Sequence, residues 1–301
     1  MRVFGLGQAS FDFIALVDGF PAEDLKKEVL EFTEQGGGPV ATALVSLSRL
    51  GVETAFGGVV YDDDAGGKIR QGLIDEGVDI EALAVREGGV SQLAFIIVNS
   101  VSASRTILWK RPTGAELGAA EVKREWLRGT DCLLLDGLME EASIRIADVA
   151  VEAGLPVVLD AGSPREGLLR LLPKADYIVG SEVFSNYFHA DPEEAVKKIA
   201  ESGAKAVTVT LGDRGSVTWV GEDGGRVFTT PAFMVKAVDT TGAGDVFHGG
   251  YIFGLLQKWP MEEVVRFASA FAALKCIALG GRAGIPALST VKDFMESAKT
   301  I

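Results

Sequence analysis

Between positions 238 and 250 the chain runs Val238-Asp239-Thr240-Thr241-Gly242-Ala243-Gly244-Asp245-Val246-Phe247-His248-Gly249-Gly250. Small residues at 242–244 let the backbone turn tightly and bring successive peptide N–H groups to one point. A helix starting near Asp245 aims its unpaired first-turn N–H groups, and the positive end of its dipole, at the same point. Such a point binds anions and suits a phosphoryl group in transfer. Asp245, at its edge, is the natural base for a hydroxyl nucleophile. The string also satisfies a purely structural reading, because Asp is a common N-cap and Gly a common turn residue.

A second glycine-rich string lies near the N-terminus: Gly36-Gly37-Gly38-Pro39-Val40-Ala41-Thr42-Ala43, then Arg49-Leu50-Gly51, with Gly57 and Gly58 following. Together with Asp239–Gly250 it resembles the paired signatures of the PfkB, or ribokinase-like, carbohydrate kinases, whose C-terminal consensus runs D-T-x-G-A-G-D. The resemblance covers nearly the whole chain, including Asp12 after the first strand and lid insertions at about 11–35 and 90–112. The strings at 36–39, 242–250, 266–269 and 281–286 look most like the sulfofructose kinase branch.

The resemblance implies transfer of the ATP γ-phosphoryl group to a sugar-type hydroxyl, with Mg²⁺. By carry-over, Asp245 is the general base and the amides of Gly242, Ala243 and Gly244 form the anion hole. A loose phosphoryl transition state needs positioning and charge stabilisation more than covalent help, which agrees with that assignment. Thr210-Leu211-Gly212-Asp213-Arg214-Gly215 resembles the nucleotide-contacting T-x-G-x-x-G segment, though a plain strand-to-hairpin turn is locally as good. Ser181-Glu182-Val183-Phe184 stands where the family has N-x-x-E; Ser replaces Asn, Phe184 replaces Glu, and Glu182 is left to serve the metal through water. Asp239 and Thr241, with the loop 281–284, are expected to form the family's K⁺ site.

On the acceptor side the resemblance gives Asp12 two vicinal hydroxyls to accept from, and gives Gly37 and Gly38 a close approach of backbone to sugar. Thr42 falls where many relatives carry a sugar-binding Asn. Lys26 sits at a lid position where the sulfofructose branch also has Lys, but Asp136-Gly137-Leu138-Met139 lacks the Arg expected for a sulfonate. Arg105, Lys110 and Arg111 would clamp a phosphate or sulfonate, or else are solvated lid charges. Two alternatives stand beside a ketohexose-type kinase. One is a nucleoside kinase with a base slot from Phe11, Phe13 and Phe95; the other is a non-catalytic sugar-binding regulator.

These residues must be positioned by alternating elements. Short β-rich runs at Val3–Leu6, Thr54–Val60, Cys132–Leu135, Val157–Asp160, Tyr177–Val179 and Ala206–Thr210 are separated or followed by amphipathic stretches. The latter are Val40–Leu50, Ala65–Glu76, Glu141–Ala153, Glu166–Leu172, Glu193–Glu201, Asp245–Leu256, Met261–Leu279 and Thr290–Lys299. Gly51, Gly77, Gly154 and Gly203 each follow a helix where a left-handed cap is needed. The pattern predicts an α/β fold with a mainly parallel sheet flanked by helices. Three hairpin-like pairs break it: Phe11–Val17 with Val29–Thr33, Gln92–Asn99 with Thr106–Lys110, and Ser216–Val220 with Val227–Thr229. The first two would stand together as a β-lid on one kinase domain spanning 1–301.

The chain has 301 residues, 48% hydrophobic and 24% charged, which excludes disordered and low-complexity classes. Its net charge of −13 makes nucleic acid and anionic membranes poor partners. No signal peptide is visible, and Arg266 and Lys275 interrupt the longest apolar stretch, so a cytoplasmic protein is expected. Cys132 and Cys276 are too few for a disulfide framework, and with only His189 and His248 a His/Cys zinc site is excluded. Gly5-Leu6-Gly7-Gln8-Ala9-Ser10 nearly matches a dinucleotide fingerprint but has no helix to receive a pyrophosphate. Asp62-Asp63-Asp64 reads as a helix N-terminal charge cluster. Exposed apolar lid strands invite pairing, so a homodimer through the lid is expected.

Overall fold

The computed structural model describes residues 1–297. In chain order the elements begin with β1 (Arg2–Leu6), β2 (Ser10–Val17), β3 (Glu31–Gly37), α1 (Pro39–Arg49), β4 (Glu53–Tyr61) and α2 (Asp64–Asp75). Then come β5 (Val78–Asp79), β6 (Leu83–Arg86), β7 (Leu93–Asn99), β8 (Arg105–Lys110), β9 (Cys132–Leu135), α3 (Glu140–Glu152), β10 (Val157–Ala161) and α4 (Glu166–Leu171). The chain continues through β11 (Tyr177–Ser181), α5 (Glu182–Ser185), α6 (Pro192–Ala200), β12 (Ala206–Thr210), β13 (Ser216–Val220) and β14 (Arg226–Thr230). It closes with α7 (Ala243–Leu256), α8 (Met261–Lys275) and α9 (Leu288–Ser297). The expected last helix, 290–299, ends outside the described residues.

The large sheet has the order β14-β13-β12-β11-β10-β9-β1-β4-β5, with β6 also paired to β4. Strands β5 to β12 along this path pair in parallel, and only β13 and β14 are antiparallel. Strands β1, β9 and β10 are almost wholly buried runs of Val, Leu, Phe and Cys, as a sheet covered on both faces requires. The two-residue β5 and the short β6 carry too little apolar pattern to be expected from sequence.

The first two expected hairpins form and are joined by a pairing that the sequence does not announce. Strands β2 and β7 lie parallel, Asp12 opposite Ala94, giving a separate four-stranded sheet of order β3-β2-β7-β8. Alternation then decides which side chains share a face. Phe11, Phe13 and Phe95 lie on the face away from Asp12, with Phe13 stacked on Phe95 at 5.2 Å. Those rings therefore do not line a base slot beside the Asp12 carboxylate.

Helix ends follow local chemistry. Asp63 caps α2, its carboxylate accepting from the Gly66 amide at 2.8 Å and from the Ser91 amide and hydroxyl, which together hold its pKa below the ordinary value despite partial burial. The triple-Asp cluster is thus a cap. Gly51, Gly77, Gly154 and Gly203 all take positive φ after their helices. Helix α8 stops at Lys275 rather than at Leu279, and the chain turns over Gly280 at φ 97°.

Helix α7 is buried along most of its length. A Cβ on Gly249 would lie 1.8 Å from the Ser46 hydroxyl of α1, and one on Gly250 would lie 2.9 Å from the Ala268 Cα of α8. These two glycines let α1 and α8 close on α7 and fix where its N-terminus points.

Candidate active site

Strand order reverses at β1, which has β4 on one side and β9 on the other. Ligands of open α/β sheets bind outside the carboxyl ends of strands at such a switch. At this edge Asp136, just past β9, is buried, its carboxylate accepting from the Gln8 amide at 2.7 Å and the Leu138 amide at 2.9 Å. Asp160 near the end of β10 and Asp245 in the first turn of α7 face the same region, since each carboxylate acts on its neighbour.

Helix α7 begins at Ala243, two residues earlier than expected, so Asp245 is the third helical residue rather than the cap. Gly242 is the cap position, in the left-handed region at φ 74°. The Ala243 amide turns to the Thr240 carbonyl at 3.3 Å. Gly242, Gly244 and Asp245 offer amides with no protein acceptor among the described residues. Two of the three amides expected to be free, those of Gly242 and Gly244, thus have no acceptor among the described residues; the third is that of Asp245 rather than Ala243.

Asp245 keeps part of its surface open to the cleft, yet enough protein surrounds the carboxyl that burial pushes it up to about 7. The Asp160 carboxylate adds to the shift, while His248 and Arg105 oppose it. Burial likewise pushes Asp136 up to about 6 against the two amides that hold it. His248 is fixed one turn beyond Asp245: Nδ1 lies 2.7 Å from the Gly244 carbonyl, and Nε2 lies 3.2 Å from that of Val179 and 3.6 Å from Asp160.

Asp12, on β2, is buried. The Ser10 hydroxyl donates to its Oδ1 at 2.6 Å, and burial raises its pKa. A Cβ at Gly37 would sit 2.0 Å from the other carboxylate oxygen, so only glycine leaves Asp12 its position. Gly38, at φ 92°, starts α1. Thr42 is buried and accepts from Arg282 Nε at 3.3 Å. Arg282 is 5% exposed, donates through Nη2 to the Gly37 carbonyl at 3.1 Å, and has no carboxylate within 4 Å among the described residues. Its guanidinium would lie 2.4 Å from a Cβ at Gly36; burial lowers its pKa to about 10, with Asp12 and Asp245 among the opposing charges.

The remaining lid cations divide. Arg105 reaches out of the small sheet and donates to the Thr240 hydroxyl at 3.0 Å, beside the glycine turn. Lys26, Lys110 and Arg111 are exposed, and Arg111 lies over the Trp109 ring at 4.7 Å. They are not gathered with Asp12 and Asp245.

Thr210 ends β12, and Gly212 and Gly215 take φ 64° and 84°, folding 211–215 into a tight turn closed by Leu211 N to the Gly215 carbonyl at 2.8 Å. The Ser181 hydroxyl is taken by local structure, donating to the Gly162 carbonyl and accepting from the Phe184 amide. Phe184 is fully buried in the core, and Glu182 turns outward to pair with Arg214 at 2.6 Å. Among the described residues no three His, Cys, Asp or Glu side chains are grouped closely enough to hold a metal by themselves. Burial, with the Asp160 carboxylate adding to it, raises both Asp136 and Asp245, so this edge would take a divalent cation only with most of its oxygens supplied from outside the protein.

Sequence reasoning missed Asp160 and the burial of Arg282 beside Asp12; His248, read as a packing residue more than as a contact to reactants, is buried. No helix among the described residues is long and apolar enough to cross a membrane.

A mainly parallel sheet flanked by helices, with a smaller sheet beside it, is the architecture of the ribokinase-like α/β proteins. The pfkB family carbohydrate kinase pattern matches residues 2–288, and the chain belongs to that family of ATP-dependent sugar kinases. It is 29% identical to an ATP-dependent ribose-1-phosphate kinase of Halopiger xanaduensis, covering 98% of each chain. It is 28% identical to a ribokinase of Haemophilus influenzae, covering 97% of this chain and 98% of that one, and 28% identical to fructokinase-1 of Oryza sativa, covering 98% of each. Among solved structures, a putative ribokinase from Agrobacterium tumefaciens superposes with a TM-score of 0.90 at 26% identity, covering 98% of this chain and 97% of that one.

Proposed function

We propose that the chain transfers the γ-phosphoryl group of ATP to a hydroxyl of a ketohexose-sized sugar bearing an anionic group, with Asp245 as general base. The observation that carries this reading is a carboxyl held near neutrality beside amides without acceptors. A base with a pKa near the working pH combines availability with driving force. Asp12, with one oxygen committed to Ser10, binds acceptor hydroxyls through the other, and the backbone of Gly37 and Gly38 passes close to the sugar. Asp245 takes the hydroxyl proton as the acceptor oxygen bonds phosphorus and the bond to the ADP oxygen breaks. The amides of Gly242, Gly244 and Asp245 hold the migrating unit, with Ala243 aligning the turn.

Thr210, Gly212 and Gly215 form the nucleotide edge, and Ser181 orders the adjacent turn. Magnesium on the nucleotide phosphates would face Asp136 and Asp160 and supplies neutralisation of phosphoryl charge; Glu182 is the outer acidic residue of that side. Arg282 supports the anionic acceptor, because it is a buried cation without an ion-pair partner next to Asp12. Two of the relatives named above act on neutral sugars by name and one on a sugar phosphate, so acceptor charge is the property to measure. The small sheet serves as a lid on one kinase domain, with Arg105 as its arm toward the phosphate turn. Lys26, Lys110 and Arg111 reach an acceptor only on further closure. Exposed Phe32, Phe95 and Leu108, which share the face of that sheet away from Asp12, support a homodimer through the lid. The two buried free thiols are in keeping with a reducing, cytoplasmic setting.

Coupled ADP release against ketoses, aldoses, nucleosides and anionic sugars, with and without Mg²⁺, tests the reading. Magnesium-dependent turnover that is fastest with an anionic ketohexose is expected. Fastest turnover with a nucleoside would replace the acceptor. Tight sugar binding without turnover of any acceptor would make the chain a regulator.

A further inference from the structure

The resemblance places K⁺ among Asp239, Thr241 and the loop 281–284, and the residues present do not fit that ion. The fully buried Asp239 carboxylate is already met by protein donors. Thr241 gives its amide at 2.8 Å and its hydroxyl at 2.7 Å to Oδ1, and Gly280 gives its amide at 2.7 Å to Oδ2. A carboxylate has about four acceptor sites in all. A cation also stands there already. Lys275, at the end of α8, is fully buried, and its Nζ donates to the Asp239 main-chain carbonyl at 2.9 Å.

A fully buried lysine is rare and costly unless its charge is used. A Met would fill the same space without that cost, so packing alone does not account for it. Burial pulls the ammonium down, while the carboxylates of Asp239 and Asp245 hold it up. The carbonyl it pins precedes Thr240, which meets Arg105, and lies three residues before the left-handed Gly242. The loop that follows folds back onto the end of α8: a Cβ at Gly284 would lie 2.2 Å from the Lys275 carbonyl.

We propose that the Lys275 ammonium is this site's monovalent cation, built into the chain, so that the phosphate-holding turn is ordered without K⁺. Lys275 is a positioning residue: it acts through the Asp239–Gly242 segment and touches no reactant.

The test compares wild type and Lys275→Met in potassium chloride and in tetramethylammonium chloride at equal ionic strength. It reads the thermal midpoint of the free protein and the Kd for MgADP. Wild type should give the same midpoint in both salts and MgADP affinities agreeing within about twofold, since an ion without a site cannot couple to nucleotide. Lys275→Met should bind MgADP about tenfold more weakly in tetramethylammonium and recover in potassium, where K⁺ enters the emptied position. A potassium-raised midpoint in wild type, or MgADP affinity about tenfold tighter in potassium, overturns the proposal. So does a Lys275→Met protein that matches wild type in both salts. Where the variant fails to fold, the wild-type pair decides by itself.

Discussion

The cations offered for an anionic acceptor fall in two kinds of surroundings. Lys26 in the β2–β3 connection, Lys110 at the end of β8 and Arg111 just past it stand in water, Arg111 resting on a tryptophan. Arg282 is buried beneath Gly36 and Gly37, hydrogen-bonded to Thr42 and a main-chain carbonyl, and without a carboxylate partner. Exposed charges are screened by salt and held by flexible stems, so each contributes little. A buried, oriented guanidinium has lost its water during folding and meets an anion at full strength. Proximity in sequence to a lid motif therefore says less about recognition than burial does.

Substitutions can break or sharpen that contrast. The largest effect is expected at the buried end: Asp245→Asn should lower kcat by about 10²–10⁴ while acceptor and nucleotide still bind, measured by single turnover and by calorimetry. The same change removes a poorly solvated charge, so the thermal midpoint at pH 8 should rise. The folded Asp245 holds its proton more tightly than the unfolded chain does, and its effect on stability declines as pH rises from the ordinary carboxylate range through about 7. A lower midpoint for Asp245→Asn at pH 8 would mean that the carboxylate supports the fold. Next, Arg282→Gln should reduce kcat/KM for an anionic acceptor by about 10–100-fold, in line with the worth of a charged hydrogen bond, and alter a neutral analogue far less. Equal losses for both acceptors would make Arg282 a structural clamp. Smallest, Lys110→Ala with Arg111→Ala should change kcat/KM for the same anion by less than about threefold, the worth of exposed charges. A loss exceeding that of Arg282→Gln would reverse the contrast.

The parts of this molecule that can be read along the chain are those with local causes. Six parallel strands announce themselves as short apolar runs, and glycines after four helices mark where the backbone turns left-handed. Asp245 and its small-residue turn are legible because the proposed anion site is made of residues close together in the chain. What escapes is made by distant ones. The parallel pairing of β2 with β7 joins segments about eighty residues apart, and it sets Phe95 beside Phe13, on the face that strand alternation turns away from Asp12. Asp136, Asp160 and Asp245 meet only because their elements end at one edge of the sheet. Arg282 looks like any loop arginine until Thr42 and Gly37 are placed against it. Lys275 reads as a mere interruption of an apolar run, because nothing nearby in sequence shows that the Asp239 carbonyl awaits it. Thr42 illustrates both sides: its departure from Asn is visible in the string, and the arginine that holds its hydroxyl is not.

The central claim is that the proton leaves the acceptor through a carboxyl held near neutrality, and the pH dependence of kcat/KM tests it most directly. The carboxyl must be ionised to accept, so the rate should rise about tenfold per pH unit below a midpoint near 7 and level off above it. In Asp245→Asn the residual rate should lose that midpoint. A profile already flat down to pH 5, or the same midpoint in Asp245→Asn, would place the base elsewhere.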